Sequence, residues 1–219
     1  RENCNAIIET STNTLVAGCK NTIIPNGVIR LEDGSFYMCS GLTAIEIPNS
    51  VLNIGAAAFA SCSSLASITI GKNVSTIGDY AFSMCSNLSN IYIPKNITYI
   101  GNNIFEYCAI LTSIVIDNEN RKYDSRENCN AIIETETNTL IAGCKNTIIP
   151  NSVTSIGSGA FYGCSDLSSV TIPNSVTSIA TSAFGACFGL QTIYIPRGTK
   201  DKFATMEGLK DHVEKLVEK

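Results

Sequence analysis

Apolar side chains recur along this chain with a period of 23 residues. Each unit contains a phenylalanine, a cysteine three residues later, and then a leucine and two isoleucines or valines at fixed offsets. The repeated phenylalanines are Phe36, Phe59, Phe82, Phe105, Phe161 and Phe184. A fixed period of this length predicts that one short structural unit is stacked many times, with neighbouring units sharing one continuous core.

The pattern within one unit predicts its local structure. In the unit from Leu65 to Cys85, Ile68 and Ile70 alternate with polar residues and predict a short strand. The Val-Ser-Thr-Ile stretch that follows predicts a second short strand, and the Ala-Phe pair at Phe82 predicts a brief helical or 3₁₀ turn. The sequence therefore predicts an α/β solenoid, a right-handed leucine-rich-repeat stack of 23-residue units.

The period is interrupted once, by additional residues at 117–149. Residues 126–151 repeat residues 1–26 at all but two positions, and in both copies two apolar stretches flank a polar segment, which predicts a β-hairpin. We expect the inserted hairpin to leave the stack unbroken, so that Phe105 and Phe161 are neighbours in space. Because the sequence begins inside such a hairpin unit, we also expect the natural chain to extend beyond Arg1.

The C-terminal residues differ from the repeats in composition. Eleven of the 34 charged residues lie in the last 23 positions. Thr199 is expected to cap a helix that ends near Gly208, and Asp211 to begin a second short helix. We predict a single domain, 1–219, with a partial repeat and hairpin at 1–25, repeats at 26–116, a hairpin insertion at 117–149, repeats at 150–196 and a helical cap at 197–219.

Composition excludes several classes of function. The formal net charge of −4 and the lack of a basic stripe argue against nucleic-acid binding. No apolar run approaches the roughly 18 residues that span a bilayer, so we expect no membrane insertion. The single histidine, His212, is expected to be a solvated surface side chain without a catalytic or metal-binding partner. We expect no catalytic residues, no metal and no cofactor.

Ten cysteines are present, and six of them recur with the repeat. We expect these six to be buried free thiols, because stacked neighbours have parallel Cβ vectors, which suit a disulfide poorly. The other four flank the two hairpins at equal spacing, as the pairs Cys4 with Cys19 and Cys129 with Cys144. Free thiols and cross-strand disulfides are both compatible with that spacing.

The strand residues that alternate with core positions are expected to line one extended surface. This surface is rich in hydroxyl groups, nearly uncharged and contains tyrosines, which supply much of the binding energy in protein interfaces. The candidate binding residues are Glu46, Thr69, Tyr92, Tyr99, Val115, Thr171 and Tyr194. The alternative interpretation is that serine and threonine occur there only because they suit exposed strands.

The repeat resembles the BspA-like leucine-rich-repeat family of bacterial surface proteins. The resemblance lies in IPNSVTSIGSGAFYGCSDLSSVTIPNSVTSI from Ile149 to Ile179, in a related run from Ile47 to Ile70, and in the hairpin sequence DSRENCNAIIETETNTLIAGC. It extends over residues 1–196. The resemblance implies an exported, surface-exposed protein of a host-associated bacterium, with a role in adhesion to host extracellular-matrix proteins or to other cells.

Three hypotheses for function follow. The first is a non-enzymatic adhesion or interaction module, monomeric and located at the cell surface or outside the cell, which binds a host extracellular-matrix or cell-surface protein through the solenoid face. The second is a structural spacer that presents other domains. The third is a glycan-binding accessory or an enzyme, which would require a pocket with converging acidic side chains.

Overall fold

The computed structural model describes residues 4–219, and its repeats form a β-solenoid of about eight turns with a spacing of about 23 residues. The strands are β1 Ile7–Glu9, β2 Thr14–Ala17, β3 Arg30–Leu31, β4 Ala44–Glu46, β5 Asn53–Ile54, β6 Ser67–Thr69, β7 Thr76–Ile77, β8 Asn90–Ile93, β9 Tyr99–Ile100, β10 Ser113–Ile116, β11 Tyr123–Asp124, β12 Ala131–Glu134, β13 Thr139–Gly143, β14 Ser155–Ile156, β15 Ser169–Thr171, β16 Ser178–Ile179, β17 Thr192–Ile195 and β18 Leu216–Glu218. Each regular turn of the solenoid contributes two short strands, as the sequence predicts.

The strands form two ladders that run along the stack. The first ladder consists of a six-stranded sheet, β1-β2-β3-β5-β7-β9, and a five-stranded sheet, β11-β12-β13-β14-β16. The second ladder consists of the shorter sheets β4-β6, β8-β10 and β15-β17-β18. All strand pairs are parallel except those of the two hairpins, β1-β2 and β12-β13, and of β11 with β12. The hairpins therefore each lie at or near the start of one sheet of the first ladder.

The repeat period places equivalent residues of successive units directly above one another. Ile54 pairs with Ile77, and Ile77 pairs with Ile100, so the same core position is filled in every turn. The phenylalanine rings stack with centroids 5.0, 5.7 and 6.1 Å apart from Phe36 to Phe105. This column of buried rings is the largest repeated contribution to the core.

The turn around each phenylalanine is not helical, which corrects the predicted helical or 3₁₀ turn and the α/β class. The residues two positions before and two after each phenylalanine have positive φ, as at Ala57 (51°) and Ser61 (62°) around Phe59. A left-handed residue ends any run of helical backbone, so two of them within five residues leave only hydrogen-bonded turns. The same positions hold glycine at Gly159 and Gly163, where positive φ costs no steric strain.

The C-terminal cap is only partly helical. The helix α1 Lys200–Ala204 follows Thr199, but the Thr199 side chain makes no capping hydrogen bond and the helix ends before Gly208. Gly208 lies instead within a 3₁₀ helix, Glu207–Lys215, which replaces the predicted second α-helix. The chain then adds β18 to the second ladder, beside β17. The sequence pattern does not predict this additional strand. The other helical segment is a 3₁₀ turn, Arg126–Asn128. Within residues 4–219, no helix is long and apolar enough to span a membrane.

The inserted hairpin is part of the stack. The turns that hold Phe105 and Phe161 are in contact, because Tyr107 N–H donates to Tyr162 O at 3.4 Å and the two tyrosine rings lie 5.6 Å apart, in agreement with the expectation that these two turns are neighbours. Gly143, at the end of β13, occupies the place that phenylalanine has in a regular turn, because its N–H donates to Ala160 O at 2.8 Å, just as Phe82 N–H donates to Ile104 O at 3.1 Å. The ring of Phe161 covers Gly143. The end of the hairpin therefore packs directly against the Phe161 turn, in the register of a regular turn.

The hairpin also divides the core. Phe105 belongs to one cluster of buried apolar residues and Phe161 to another. Along β12 the sides alternate: Ile132 packs in the first cluster, whereas Ala131 and Ile133 pack in the second. Because neighbouring residues of a strand point to opposite faces, β12 is a shared wall between the two clusters rather than a hairpin beside one core.

All ten cysteines are free thiols, and those of the repeats are buried or partly buried. The thiol of Cys62 donates to Phe36 O at 3.1 Å, and the thiol of Cys85 donates to Phe59 O at 3.2 Å. Burial raises the pKa of Cys62 to about 12 and that of Cys187 to about 11. The hairpin disulfides that the spacing allowed are not formed. The repeat cysteines are therefore protonated at neutral pH and poorly reactive.

Thiol reactivity provides a direct check on this arrangement. Cys19 is the one exposed cysteine of the ten. We expect a single thiol of the native protein to react rapidly with Ellman's reagent at pH 8, and all ten to react after denaturation. The substitution Cys19→Ser should remove the rapid phase and leave nine thiols in the denatured chain. Several rapidly reacting thiols in the Cys19→Ser protein would contradict the buried ladder.

Candidate functional site

The outward side chains of the second ladder lie opposite one another within each of its three sheets. Glu46 lies opposite Thr69 in the β4-β6 pair, and Val115 lies opposite Tyr92 in β8-β10. The same register places Thr171 opposite Tyr194 in the last sheet. We call the following six residues the strand face: Glu46, Thr69, Tyr92, Val115, Thr171 and Tyr194. The neighbouring residues along each strand are packed in the core. Pairing between strands also fixes the backbone, so the outward side chains project from a rigid framework.

Tyr99, the seventh predicted residue, lies elsewhere. It belongs to β9 in the first ladder and pairs with Thr76. Its side chain is 48% exposed, close to the 52% of Tyr92. Both tyrosines precede a buried isoleucine in their strands, so alternation alone marks both as exposed and does not tell the two ladders apart.

The cap extends the strand face by one position that no repeat in the sequence predicts. Val217 of β18 lies opposite Tyr194 and is 45% exposed. No repeat pattern marks β18, because its sequence lies beyond the last regular unit. The signal available was only a short apolar Leu-Val pair in a charged segment.

An open groove of about 670 Å³ lies at the C-terminal end of the strand face. Thr171, Tyr194, Lys219 and the exposed Ile148 are among its lining residues. The Lys219 ammonium donates to Thr171 Oγ1 at 2.9 Å and lies 4.4 Å from the centroid of the Tyr194 ring. The groove thus combines an aromatic ring, an apolar side chain, a hydroxyl and a cation, which suits an apolar or acidic side chain of a partner.

A polar cluster occupies the middle of the strand face. The Tyr92 hydroxyl donates to Asp117 Oδ2 at 2.7 Å, and Lys95 forms an ion pair with Glu119 at 2.5 Å. The hydrogen bond to Asp117 raises the pKa of Tyr92, and the same bond lowers the pKa of Asp117. Tyr92 is therefore a neutral, oriented ring at physiological pH, with a carboxylate fixed beside its hydroxyl.

The described residues contain no cluster of metal-ligating side chains. Within residues 4–219, no group of three or more His, Cys, Asp or Glu residues could hold a metal ion. His212 is not the fully solvated side chain expected from the sequence: it is half-buried in the cap, and this burial lowers its pKa.

Comparisons with known proteins agree with this architecture. A family model described as BspA type leucine rich repeat region matches residues 11–133 and 138–205, with six copies. No curated protein matches the chain.

Three solved structures are similar. A leucine-rich-repeat protein of T. pallidum is 25% identical with a TM-score of 0.50, and the match covers 86% of this chain and 77% of that one. The pneumococcal vaccine antigen PcpA is 24% identical with a TM-score of 0.66, over 77% of this chain and 43% of that one. A leucine-rich-repeat protein from Eubacterium ventriosum is 20% identical with a TM-score of 0.55, over 80% and 59%.

These matches define the relationship and its extent. The chain spans less than two thirds of the length of the pneumococcal and Eubacterium proteins. The likeness to those two proteins shows a shared fold. The family model extends over most of the residues and over every regular repeat. The chain belongs to the BspA-type leucine-rich-repeat family.

Proposed function

We propose that this chain is a non-enzymatic interaction module of the bacterial cell surface, which binds host extracellular-matrix or cell-surface proteins through the strand face. The observation that carries the proposal is the set of outward tyrosine, threonine and valine side chains that strand pairing holds in the three sheets of the second ladder. The chain is a leucine-rich-repeat protein of the bacterial surface-protein type, and this supports a location on the cell surface or outside the cell.

The physical properties of the strand face fit protein binding. Tyr92 and Val115 lie opposite each other and are 52% and 43% exposed, so contact with a partner would remove apolar area from water. Tyrosine offers a large ring with few rotatable bonds, and immobilising it costs little conformational entropy. The short strands hold these side chains at fixed spacing before a partner arrives, which reduces the entropic cost of binding.

The groove beside Tyr194 gives the surface a defined anchor. A shallow strand face alone would offer many equivalent contacts, whereas energetically dominant contacts cluster in pockets that exclude water. Lys219 adds a positive charge to this end of the surface, and Asp117 and Glu119 add negative charge to its middle. We therefore place the strongest contact of the partner at Tyr194 and a weaker, polar contact at Tyr92.

Binding measurements with matched tyrosine variants test this proposal. Immobilised matrix proteins such as fibronectin, fibrinogen, laminin and collagen, together with host cells, would be probed with the purified chain. We expect Tyr194→Ala to weaken binding at least about tenfold and Tyr92→Ala by several fold. Tyr99→Ala is the matched control, because Tyr99 is equally exposed but lies on the first ladder, and it should bind as the unchanged chain does.

Other outcomes would redirect the assignment. Loss of binding in Tyr99→Ala with normal binding in Tyr194→Ala would move the site to the first ladder. If neither this chain nor its full natural protein binds any matrix protein or host cell, the spacer hypothesis replaces adhesion. Circular dichroism of each variant must match that of the unchanged chain for these comparisons to hold.

A further inference from the structure

A second open groove, of about 320 Å³, lies on the first ladder. One of its walls consists of the outward residues of four successive strands, β3, β5, β7 and β9, which strand pairing places side by side: Arg30, Asn53, Thr76 and Tyr99. Adjacent strands lie about 4.8 Å apart, so this wall extends over roughly 14 Å. We call this feature the first-ladder groove.

Bare backbone forms part of the lining of the groove. Gly55 and Gly78 both lie there. A Cβ at Gly55 would lie 2.6 Å from Asp33 N, and a Cβ at Gly78 would lie 2.5 Å from Ala56 N. Because the neighbouring turn leaves no room for a side chain at either position, a ligand can approach the main chain closely.

Two carboxylates also line the groove, those of Asp33 and Asp79. The following turn holds one oxygen of each: Ala56 N–H donates to Asp33 Oδ1 at 2.9 Å, and Asn102 N–H donates to Asp79 Oδ1 at 2.7 Å. Among residues 4–219, no side chain or backbone group donates a hydrogen bond to the Oδ2 atom of either carboxylate. Each carboxylate is therefore fixed in orientation and has one acceptor oxygen available to a ligand.

The polar wall is ordered in a similar way. Asn53 Nδ2 donates to Thr76 Oγ1 at 2.8 Å, which leaves the Asn53 side-chain carbonyl as an acceptor and the Thr76 hydroxyl as a donor. Arg30 lies at one end of this wall, 3.7 Å from the Asp33 carboxylate. Tyr99 lies at the other end, with its side chain 48% exposed. The groove therefore combines oriented acceptors, oriented donors and one aromatic ring.

The repeat alone does not require these side chains. In the second sheet of the first ladder, the equivalent outward positions hold Ser155 and Ser178. The positions equivalent to Asp79 hold Ser158 and Thr181. That surface has the same strands but neither a ring nor a carboxylate at these positions. The composition of the first-ladder groove is thus a property of its four turns and not of the fold.

This combination fits a neutral sugar. A pyranose presents a face of C–H bonds that packs on an aromatic ring, and hydroxyl groups that both donate and accept hydrogen bonds. The volume lies at the lower end of the roughly 300–1,000 Å³ of ligand pockets, which suits a short oligosaccharide.

Other classes of ligand fit the groove less well. Two carboxylates disfavour an anion, and Arg30 in the same groove disfavours a basic side chain. An apolar side chain would cover the carboxylate of Asp79 without giving it a hydrogen-bond partner, and burial of an unpaired charge is costly.

We propose that the first-ladder groove binds a short neutral oligosaccharide. A sugar ring stacks on Tyr99, and sugar hydroxyls donate to the Oδ2 atoms of Asp33 and Asp79. The Thr76 hydroxyl donates to a further sugar oxygen. This inference does not depend on the adhesion role proposed above, because the first-ladder groove and the strand face lie on different ladders and share no residue.

Binding to defined sugars tests the proposal. The purified chain would be titrated with lactose, cellobiose, maltose, chitobiose and mannobiose, and with digalacturonic acid as the anionic comparison. Saturation-transfer NMR identifies the sugar protons that contact the protein, and calorimetry gives the affinity. We expect at least one neutral disaccharide to bind at millimolar concentration, and digalacturonic acid to bind at least about tenfold more weakly.

Conservative variants separate a specific site from general surface contact. In Asp79→Asn the side-chain carbonyl still accepts from Asn102 N–H, whereas the oxygen available to the ligand becomes a donor, so sugar binding should weaken at least about tenfold. Tyr99→Ala should weaken it several fold, and Tyr99→Phe should keep most of the affinity because the ring remains. Tyr194→Ala is the matched control and should bind sugar as the unchanged chain does.

The outcomes are distinct. Failure of every neutral disaccharide to bind overturns the proposal, as does sugar binding that survives both Asp79→Asn and Tyr99→Ala with unchanged circular dichroism. Binding of a lysine peptide in place of the sugars, lost in Asp79→Asn, would also overturn it and assign the groove to basic side chains. Sugar binding by a Tyr194→Ala chain that no longer binds matrix proteins would support the groove as a site separate from the strand face.

Discussion

Phe82→Ala is expected to lower the free energy of unfolding by about 4 kcal/mol. Phe82 is 0% exposed, and its ring stacks on Phe59 at 5.7 Å and on Phe105 at 6.1 Å. Removal of the ring loses its burial, leaves a cavity and removes the partner of both neighbouring rings. In a solenoid each turn is supported by the turns beside it, so a cavity in the middle of the stack weakens two interfaces at once.

Urea denaturation followed by circular dichroism measures this effect. Phe188→Ala is the matched control, since Phe188 is 84% exposed and its removal should change stability by no more than about 0.5 kcal/mol. Equal losses in the two variants would contradict the assignment of the phenylalanine column to the core. The slope of the urea transition should be compared as well, because partial unfolding of a stack changes it.

The regular part of the fold could be predicted because one physical requirement repeats. A unit with Ile68 and Ile70 on one side of a strand cannot bury them alone, and only stacking at a fixed period satisfies all units together. The pairing Ser67 with Ala44 and Ile68 with Ile45 follows directly from the 23-residue period. Hydrophobic periodicity thus specifies both the strands and their register.

The backbone of the turns could not be predicted in the same way. Ala57, Tyr80 and Met84 have positive φ although none of them is glycine, asparagine or aspartate. The residue types therefore give no sign of a left-handed conformation, which costs roughly 1 to 2 kcal/mol per residue in such side chains. The stack imposes it: Tyr80 N–H donates to Asn102 O, and Met84 N–H donates to Glu106 O, in the next turn.

The candidate site was predictable to the extent that it belongs to the repeat. Alternation identified the exposed row, but Tyr99 and Tyr92 follow the same local pattern and lie on different ladders. Lys219 and Val217 join the surface only because β18 folds back onto β17, a long-range pairing without a periodic signal. Irregular elements carry the features that distinguish one end of the strand face from the other.

Gly143→Ala is expected to destabilise the protein by about 3 kcal/mol, although it adds a single methyl group. A Cβ at this position would lie 2.3 Å from Cε1 and 2.6 Å from Cζ of Phe161, whose ring is 0% exposed. The ring cannot move aside without disturbing Phe184, on which it stacks at 5.1 Å. Gly18 faces Phe36 in the same way, so both hairpins need glycine where a regular turn has phenylalanine.

A double-mutant cycle distinguishes this clash from a general effect of alanine. Phe161→Leu removes the ring edge, so the combination with Gly143→Ala should cost less than the sum of the two single changes. Gly41→Ala is the control, because only the flexible side chain of Lys20 lies near its added Cβ, and it should be tolerated. Additive losses in the cycle would show that the inserted hairpin does not pack against Phe161. The assignment of β12 and β13 to the boundary between the two core clusters would then be wrong.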